Sequence, residues 1–229
     1  MNKINNNRLL ILLSVICLLS AGCNSKKMKE INSVIDFYEL IEGTKVVTDN
    51  FSRAQLITKK LTGLSEKSII NFEKYLRKEL IHICHYNIAL LFELSYPSPV
   101  FTKNGKPIEL PGEPYLSTDG FIYFRCGIIL LGKEAVNQLL EDPNNIIMLN
   151  KSSAEIDAEG LLYCATDALK NKRSTINLDD SLDRSEHYDW GSYSILGEKI
   201  KWYAPEEEYP ELVKYYNYKR TTMELPDSK

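Results

Sequence analysis

One run constrains what this chain can fold into more than any other. From Asp119-Gly120 the sequence continues Phe-Ile-Tyr-Phe-Arg-Cys-Gly-Ile-Ile-Leu-Leu and closes on Gly132. A segment this apolar has to lie inside something, so its neighbours must be built to cover it. It carries one charge, Arg125, whose burial calls for a carboxylate or several carbonyls close by. Phe, Ile and Tyr favour strand, and Gly127 weakens a helix by about 1 kcal/mol. The run is nevertheless longer than a usual strand, and Thr118 or Asp119 supplies an N-cap. It is read as the central helix of a helical core.

The flanking sequence supplies the cover. Ile31, Val34, Ile35, Tyr38 and Ile41 recur at helical spacing and stop near Gly43. Asn50 caps a second helix with an apolar face of Phe51, Ala54, Ile57 and Leu61, which Gly63 ends. Ser65 caps a third, with Ile69, Phe72, Leu76, Leu80 and Ile83 on one side. That pattern continues to Tyr96, too far for a compact domain, so a break is expected near His85–Asn87. Pro97 to Pro114 holds five prolines and two glycines and reads as a loop, with a hairpin tip at Lys103–Lys106. After Gly132, Glu134 to Leu140 forms a further piece closed by Asp142-Pro143. Ser152 with Glu155 makes a capping box for a helix running through Ile156, Leu161, Ala165 and Leu169. The polar stretch after Lys172 leads to a hairpin about Gly197-Glu198 and a last short helix at Leu212–Tyr216. The fold class is therefore mainly α: a compact multi-helix domain of five or six helices, a long Pro-rich loop and a less regular C-terminal extension.

The N-terminus reads as a targeting segment. Lys3 and Arg8 precede an eleven-residue apolar run, Leu9–Leu19, too short to span a bilayer but suited to a signal peptide. It ends in Leu19-Ser20-Ala21-Gly22-Cys23, which resembles the lipobox of bacterial lipoproteins, although Ser20 stands where leucine is commoner. The resemblance implies cleavage before Cys23 and acylation of its thiol, hence a bacterial envelope protein held to a membrane, facing the periplasm or cell surface. Asn24 differs from the aspartate that retains such proteins in the inner membrane of enteric bacteria. The alternative is an ordinary secretory peptide with a cysteine near the cut. The expected organisation is a signal peptide at 1–22, a lipidated tether at 23–30, a helical domain at 31–172 and a C-terminal extension at 173–229 that packs on it. Removal of Lys3 and Arg8 takes the formal charge from −3 to −5, and no dense basic block exists, which argues against a nucleic-acid partner. Cys84, Cys126 and Cys164 are odd in number, widely spaced and set in apolar segments, so they read as core thiols rather than a disulfide framework.

Several blocks carry a family resemblance. They are Phe37-Tyr38-Glu39-Leu40-Ile41-Glu42, Leu61 to Phe72, Asp119-Gly120-Phe121-Ile122-Tyr123-Phe124-Arg125, Gly132-Lys133-Glu134 and Leu140-Glu141-Asp142-Pro143-Asn144. In that order they resemble a bacterial family catalogued as domain of unknown function 4240, over about Ile31 to Lys172. Tyr209-Pro210-Glu211-Leu212 resembles a C-terminal motif of many members. Three departures stand out. The family usually has two acidic residues before Gly120, commonly a tryptophan at the place of Gly127, and no counterpart of the loop at 97–114. The resemblance implies a mostly helical single domain and brings no substrate or cofactor.

The remaining clusters point to no chemistry. His82 and His85 lie one helical turn apart, but a zinc site needs three or four converging ligands, so no metal is expected. Asp179-Asp180-Ser181-Leu182-Asp183 lacks the glycine turn and terminal glutamate of a calcium loop and reads as a solvated acidic loop. No phosphate loop or catalytic signature occurs, so no cofactor and no catalytic residue is assigned. Arg125 is expected to form a structural ion pair with Glu159, with Glu155 and Glu93 as other candidates. The alternative is that Arg125 and Asp119 line a pocket for an anionic ligand. The expected function is binding of a protein partner in the envelope, with an enzyme acting around Asp119 and Arg125 as the alternative. An aromatic C-terminal stretch, Trp202-Tyr203 and Tyr215 to Arg220, is a further recognition candidate.

Overall fold

Capping chemistry sets the first helix starts. Helix α1 (Val34–Glu42) begins after Ser33, whose hydroxyl accepts from the Asp36 amide, and ends at Gly43. Helix α2 (Asn50–Thr62) is capped by Asp49, one residue earlier than expected, and ends at Gly63. Helix α3 (Glu66–His82) starts after Ser65 as its sequence implies. The chain breaks at Ile83–Cys84, and α4 (Tyr86–Ser95) restarts under an N-cap from the His85 ring. That break is the expected one.

The computed structural model describes residues 29–96, 100–103, 106–107, 118–151, 156–182, 205–216 and 222–224. The signal segment, Cys23, the capping box at Ser152 and Glu155, and the hairpin about Gly197 lie outside these residues. After α4 come strands β1 (Val100–Lys103) and β2 (Lys106–Pro107), then α5 (Thr118–Leu131), α6 (Lys133–Glu141) and α7 (Asn145–Leu149). A 3-10 turn (Glu159–Tyr163) leads into α8 (Cys164–Asn171), followed by α9 (Leu178–Ser181), α10 (Pro205–Glu208), α11 (Pro210–Tyr215) and β3 (Thr222–Glu224). The protein is mainly α and compact, as its pattern implies.

The Pro-rich loop is not wholly irregular. β1 and β2 pair antiparallel with Lys103 opposite Lys106, which is the hairpin read there, and β3 adds in parallel with Val100 opposite Thr222. A segment of the C-terminal extension is thus paired to the middle of the chain.

The apolar run from 119 is helix α5, and most of its side chains are covered. Phe121, Phe124, Cys126, Ile128 and Ile129 are at most 1% exposed. Phe92 of α4 lies 5.5 Å from the Phe121 ring and 5.4 Å from Phe124, while Phe37 of α1 meets Phe72 of α3 at 5.1 Å. Each such ring contributes on the order of 1.5–3 kcal/mol by burial. Gly132, at φ +101, ends α5 in a conformation that favours glycine and turns the chain into α6. Two residues assigned to apolar faces by spacing lie outside the core: Ile35 is 57% exposed and Phe51 72% exposed.

The helix expected from Ser152 onward is broken. Ala158 takes an extended φ of −147, a 3-10 turn follows, and regular α-helix resumes only at Cys164. The cause lies on α5. A Cβ at Gly127 would stand 1.2 Å from the Ile156 carbonyl oxygen, so the backbone at 156 fills the space a side chain would take. The Ala158 amide donates to the Tyr123 carbonyl at 3.2 Å, and the Asp157 carbonyl accepts from Asn50 at 2.8 Å. Backbone groups committed outward in this way cannot close helical hydrogen bonds.

Candidate functional site

The segment that crosses Gly127 delivers the next residues onto the surface beside α2 and α8. Gly160 lets the 3-10 turn approach α2, since a Cβ there would sit 3.1 Å from the Ala54 side chain. The buried Cys164 thiol donates to the Ala54 carbonyl at 3.4 Å and pins the start of α8 to the same helix. Burial raises the thiol pKa to about 12, so it is an inert packing group.

Between α2, the 3-10 turn and α8 lies a cleft of about 770 Å³. Phe51, Ala54 and Thr58 form one wall, and Gly160, Tyr163 and Asp167 the other. Phe51 and Tyr163 stand exposed on opposite walls, at 72% and 48%. Above the turn sits a polar cluster. The Tyr163 hydroxyl donates to Glu159 at 3.0 Å, and that bond is the main cause raising the tyrosine pKa. The Tyr123 hydroxyl is also raised, first by burial and then by the charge of Glu159. Asp119, exposed on the first turn of α5, adds its field to both tyrosines.

Asp119 and Glu159 are therefore brought to one face, and Arg125 is not. Its guanidinium is 4% exposed, donates to the Leu80 carbonyl at 2.7 Å and lies 4.6 Å over the Phe121 ring. Leu80 stands in the last turn of α3, where carbonyls lack helical partners and the dipole favours a cation. The expected partner, Glu159, accepts from the Tyr163 hydroxyl instead. Arg53 repeats the device: it is 6% exposed and donates to Leu130 at the end of α5 at 2.9 Å and to Ile41 at the end of α1 at 3.3 Å.

A second cleft of about 560 Å³ opens on the other side of Tyr163 and Lys170. Its floor holds Arg77, bonded to the buried Glu73 at 2.8 Å and to Asp179 at 3.0 Å. Asp179 of the acidic stretch is thus not merely solvated: it stands in the first turn of α9 and pairs with an interior arginine. His82 and His85 are both exposed, and the His85 ring accepts from the Asn87 amide at 3.3 Å as a helix cap. Among the described residues no group of three metal-ligating side chains converges, and no helix is long and apolar enough to cross a membrane.

Residues 108–171 match the family model described as protein of unknown function (DUF4240). Over this stretch, somewhat more than a quarter of its length, the chain is similar to that family. The matched stretch ends at Asn171, the last residue of α8, and contains Asp119, Arg125, Gly127, Glu159 and Tyr163. The resembling blocks at 37–42 and 61–72 fall outside the matched residues. No curated protein and no solved structure matches the chain.

Sequence reasoning missed Phe51, Gly160 and the Glu73–Arg77–Asp179 set. The spacing of Phe51, Ala54 and Ile57 is that of a buried stripe, and periodicity carries no sign that the first turn overhangs a cleft. A signal for Arg77 was present: Glu73 and Arg77 stand at i and i+4 on α3.

Proposed function

We propose that the chain is a lipid-anchored envelope protein whose helical domain binds a protein partner across the α2–α8 cleft. The observation that carries this reading is the pair of exposed aromatics, Phe51 and Tyr163, that line one cleft. Exposed aromatic side chains on a rigid scaffold are strong binding anchors, because they bury large area at small entropic cost. The rim toward α5 adds three exposed carboxylates, Asp119, Asp157 and Glu159. A partner surface with basic side chains beside an apolar anchor fits this combination. The second reading, an enzyme acting through Asp119 and Arg125, draws no support from a guanidinium sealed against Leu80.

The test is quantitative capture from native membranes, comparing the parent chain with a Phe51→Ala/Tyr163→Ala double variant. Both side chains are exposed, so the variant keeps its fold, and capture of a basic partner falls at least about tenfold if two anchors of about 1 kcal/mol each are lost. Retained capture of the same partner removes the cleft from the interface.

A further inference from the structure

The tether was read as ending at residue 30, yet the fold grips the chain before that point. Lys29 pairs with Asp36 at 2.5 Å and with Glu39 at 3.5 Å. The Glu30 carboxylate accepts from the Ser65 hydroxyl at 2.5 Å, from the Ser68 hydroxyl, and from the Ser65 amide at 3.4 Å. It therefore sits on the N-terminus of α3, a 17-residue helix whose dipole favours an anion there. The Ile31 amide donates to Ser68 at 2.8 Å, and its carbonyl accepts from Asn71 at 2.7 Å. The Asn32 carbonyl accepts from the Tyr75 hydroxyl at 2.8 Å, and the Ile31 side chain is 1% exposed. Four consecutive residues, Lys29 to Asn32, are thus fastened to α1 and α3. Asp36, at the centre of the clamp, has its carboxyl pulled down to about 2, first by Lys29 and then by Ser33 and the Asn32 amide.

We infer that this clamp fixes the stand-off of the domain from a lipid surface, holding the Ser33–Ser65 corner nearest the bilayer and the Val46–Phe51 end away from it. The inference rests on the reading of Cys23 as the lipidated residue. Only residues 24–28 then separate the lipid from Lys29, and however they fold they span no more than about 20 Å. α1 starts at that corner and α2 returns to it, and the 13 residues of α2 measure about 20 Å. Val46, 85% exposed in the turn between these helices, and Phe51 in the first turn of α2 lie at the opposite end. The cleft runs along α2 from Phe51 to Gly63, so its aromatic mouth faces away from the membrane. The lipid surface is the committed neighbour of the clamp, and the aromatic end is left for a partner in the aqueous phase.

The experiment uses the full lipidated chain in vesicles, in a Cys84→Ser background, with a donor dye on Lys67→Cys or on Val46→Cys and an acceptor on lipid headgroups. Both labelled positions are exposed. The expected result is several-fold stronger energy transfer at position 67 than at 46. Insertion of a long flexible Gly/Ser segment after Asn24 should abolish that difference. Equal transfer at both positions, on a chain whose Cys23 carries lipid by mass spectrometry, overturns the inference and leaves the anchor standing. A chain with unmodified Cys23 that stays out of the membrane fraction overturns the anchor and the inference together.

Discussion

Helix α5 presents two faces that solve opposite problems. On the face of Asp119, Tyr123 and Gly127, the helix gives up a side chain so that the backbone at Ile156 can lie against it, and the same turn carries Tyr163 and Glu159 to the surface. On the face of Phe121 and Arg125, it keeps a charged side chain inside and hands it to the end of α3. The first face buries no charged side chain and produces an exposed cluster. The second removes a guanidinium from water and offsets that cost with a helix-end carbonyl and an aromatic ring. An unusual residue in an apolar run can therefore be structural for two unrelated reasons, and only one of them shapes the surface.

The largest effect is expected at Gly127. Gly127→Ala places a methyl group on the Ile156 carbonyl, with backbone on both sides and no flexible end to yield. It should destabilise by at least about 3 kcal/mol in urea unfolding. Unchanged stability would mean that the 156–158 segment does not seat on α5, and the distinction between the faces would collapse.

Arg125→Ala comes next. It strands the Leu80 carbonyl and opens a void beside Phe121, with a loss of about 2–4 kcal/mol. Paired with Glu159→Ala in a double-mutant cycle, the losses should add to within about 0.5 kcal/mol, because the two side chains have different partners. A larger coupling would restore the Arg125–Glu159 ion pair and join the two faces.

Glu159→Gln tests the exposed face alone. Replacing the carboxylate with an amide removes the charge that opposes tyrosinate formation, so the Tyr163 hydroxyl should titrate at lower pH in an ultraviolet or NMR titration. A Tyr163 midpoint that does not move would show that the Glu159 bond is not made in solution.

The smallest effect lies outside α5 and supplies a baseline. Asp36 has a folded value near 2 against an ordinary 3.8, so it contributes stability above about pH 4 that is lost as pH falls through about 2. Lys29→Ala should raise the Asp36 midpoint and shift the acid limb of the stability curve upward. The acid limbs of Gly127→Ala and Arg125→Ala should keep the parent shape.

Much of the fold was legible because local chemistry and packing agreed. Ser65 with Ile69, Phe72, Leu76, Leu80 and Ile83 specified the start and buried face of α3, and a break near His85–Asn87 followed from length, the helix ending slightly earlier at His82. The site was legible only in part. Asp119 and Glu159 were named, but the reason they share a face is a backbone crossing at Gly127, which no spacing encodes. Phe51 was counted as core because a helical stripe fixes which residues share a side, not whether that side is covered along its whole length. Ile35 fails in the same way.

Sequence by itself determined the helical class, the capped start of α3, a break between α3 and α4 and the burial of most of the run from Phe121 to Leu130. These follow from hydrogen-bonding side chains at helix ends and from apolar periodicity, both of which act over a few residues. Only the tertiary structure decided what Arg125 bonds, why the helix after Ser152 breaks, and how Phe51 and Tyr163 come to line one cleft. Each of these depends on which distant backbone atom fills a given space, and that is settled by packing between segments rather than within them.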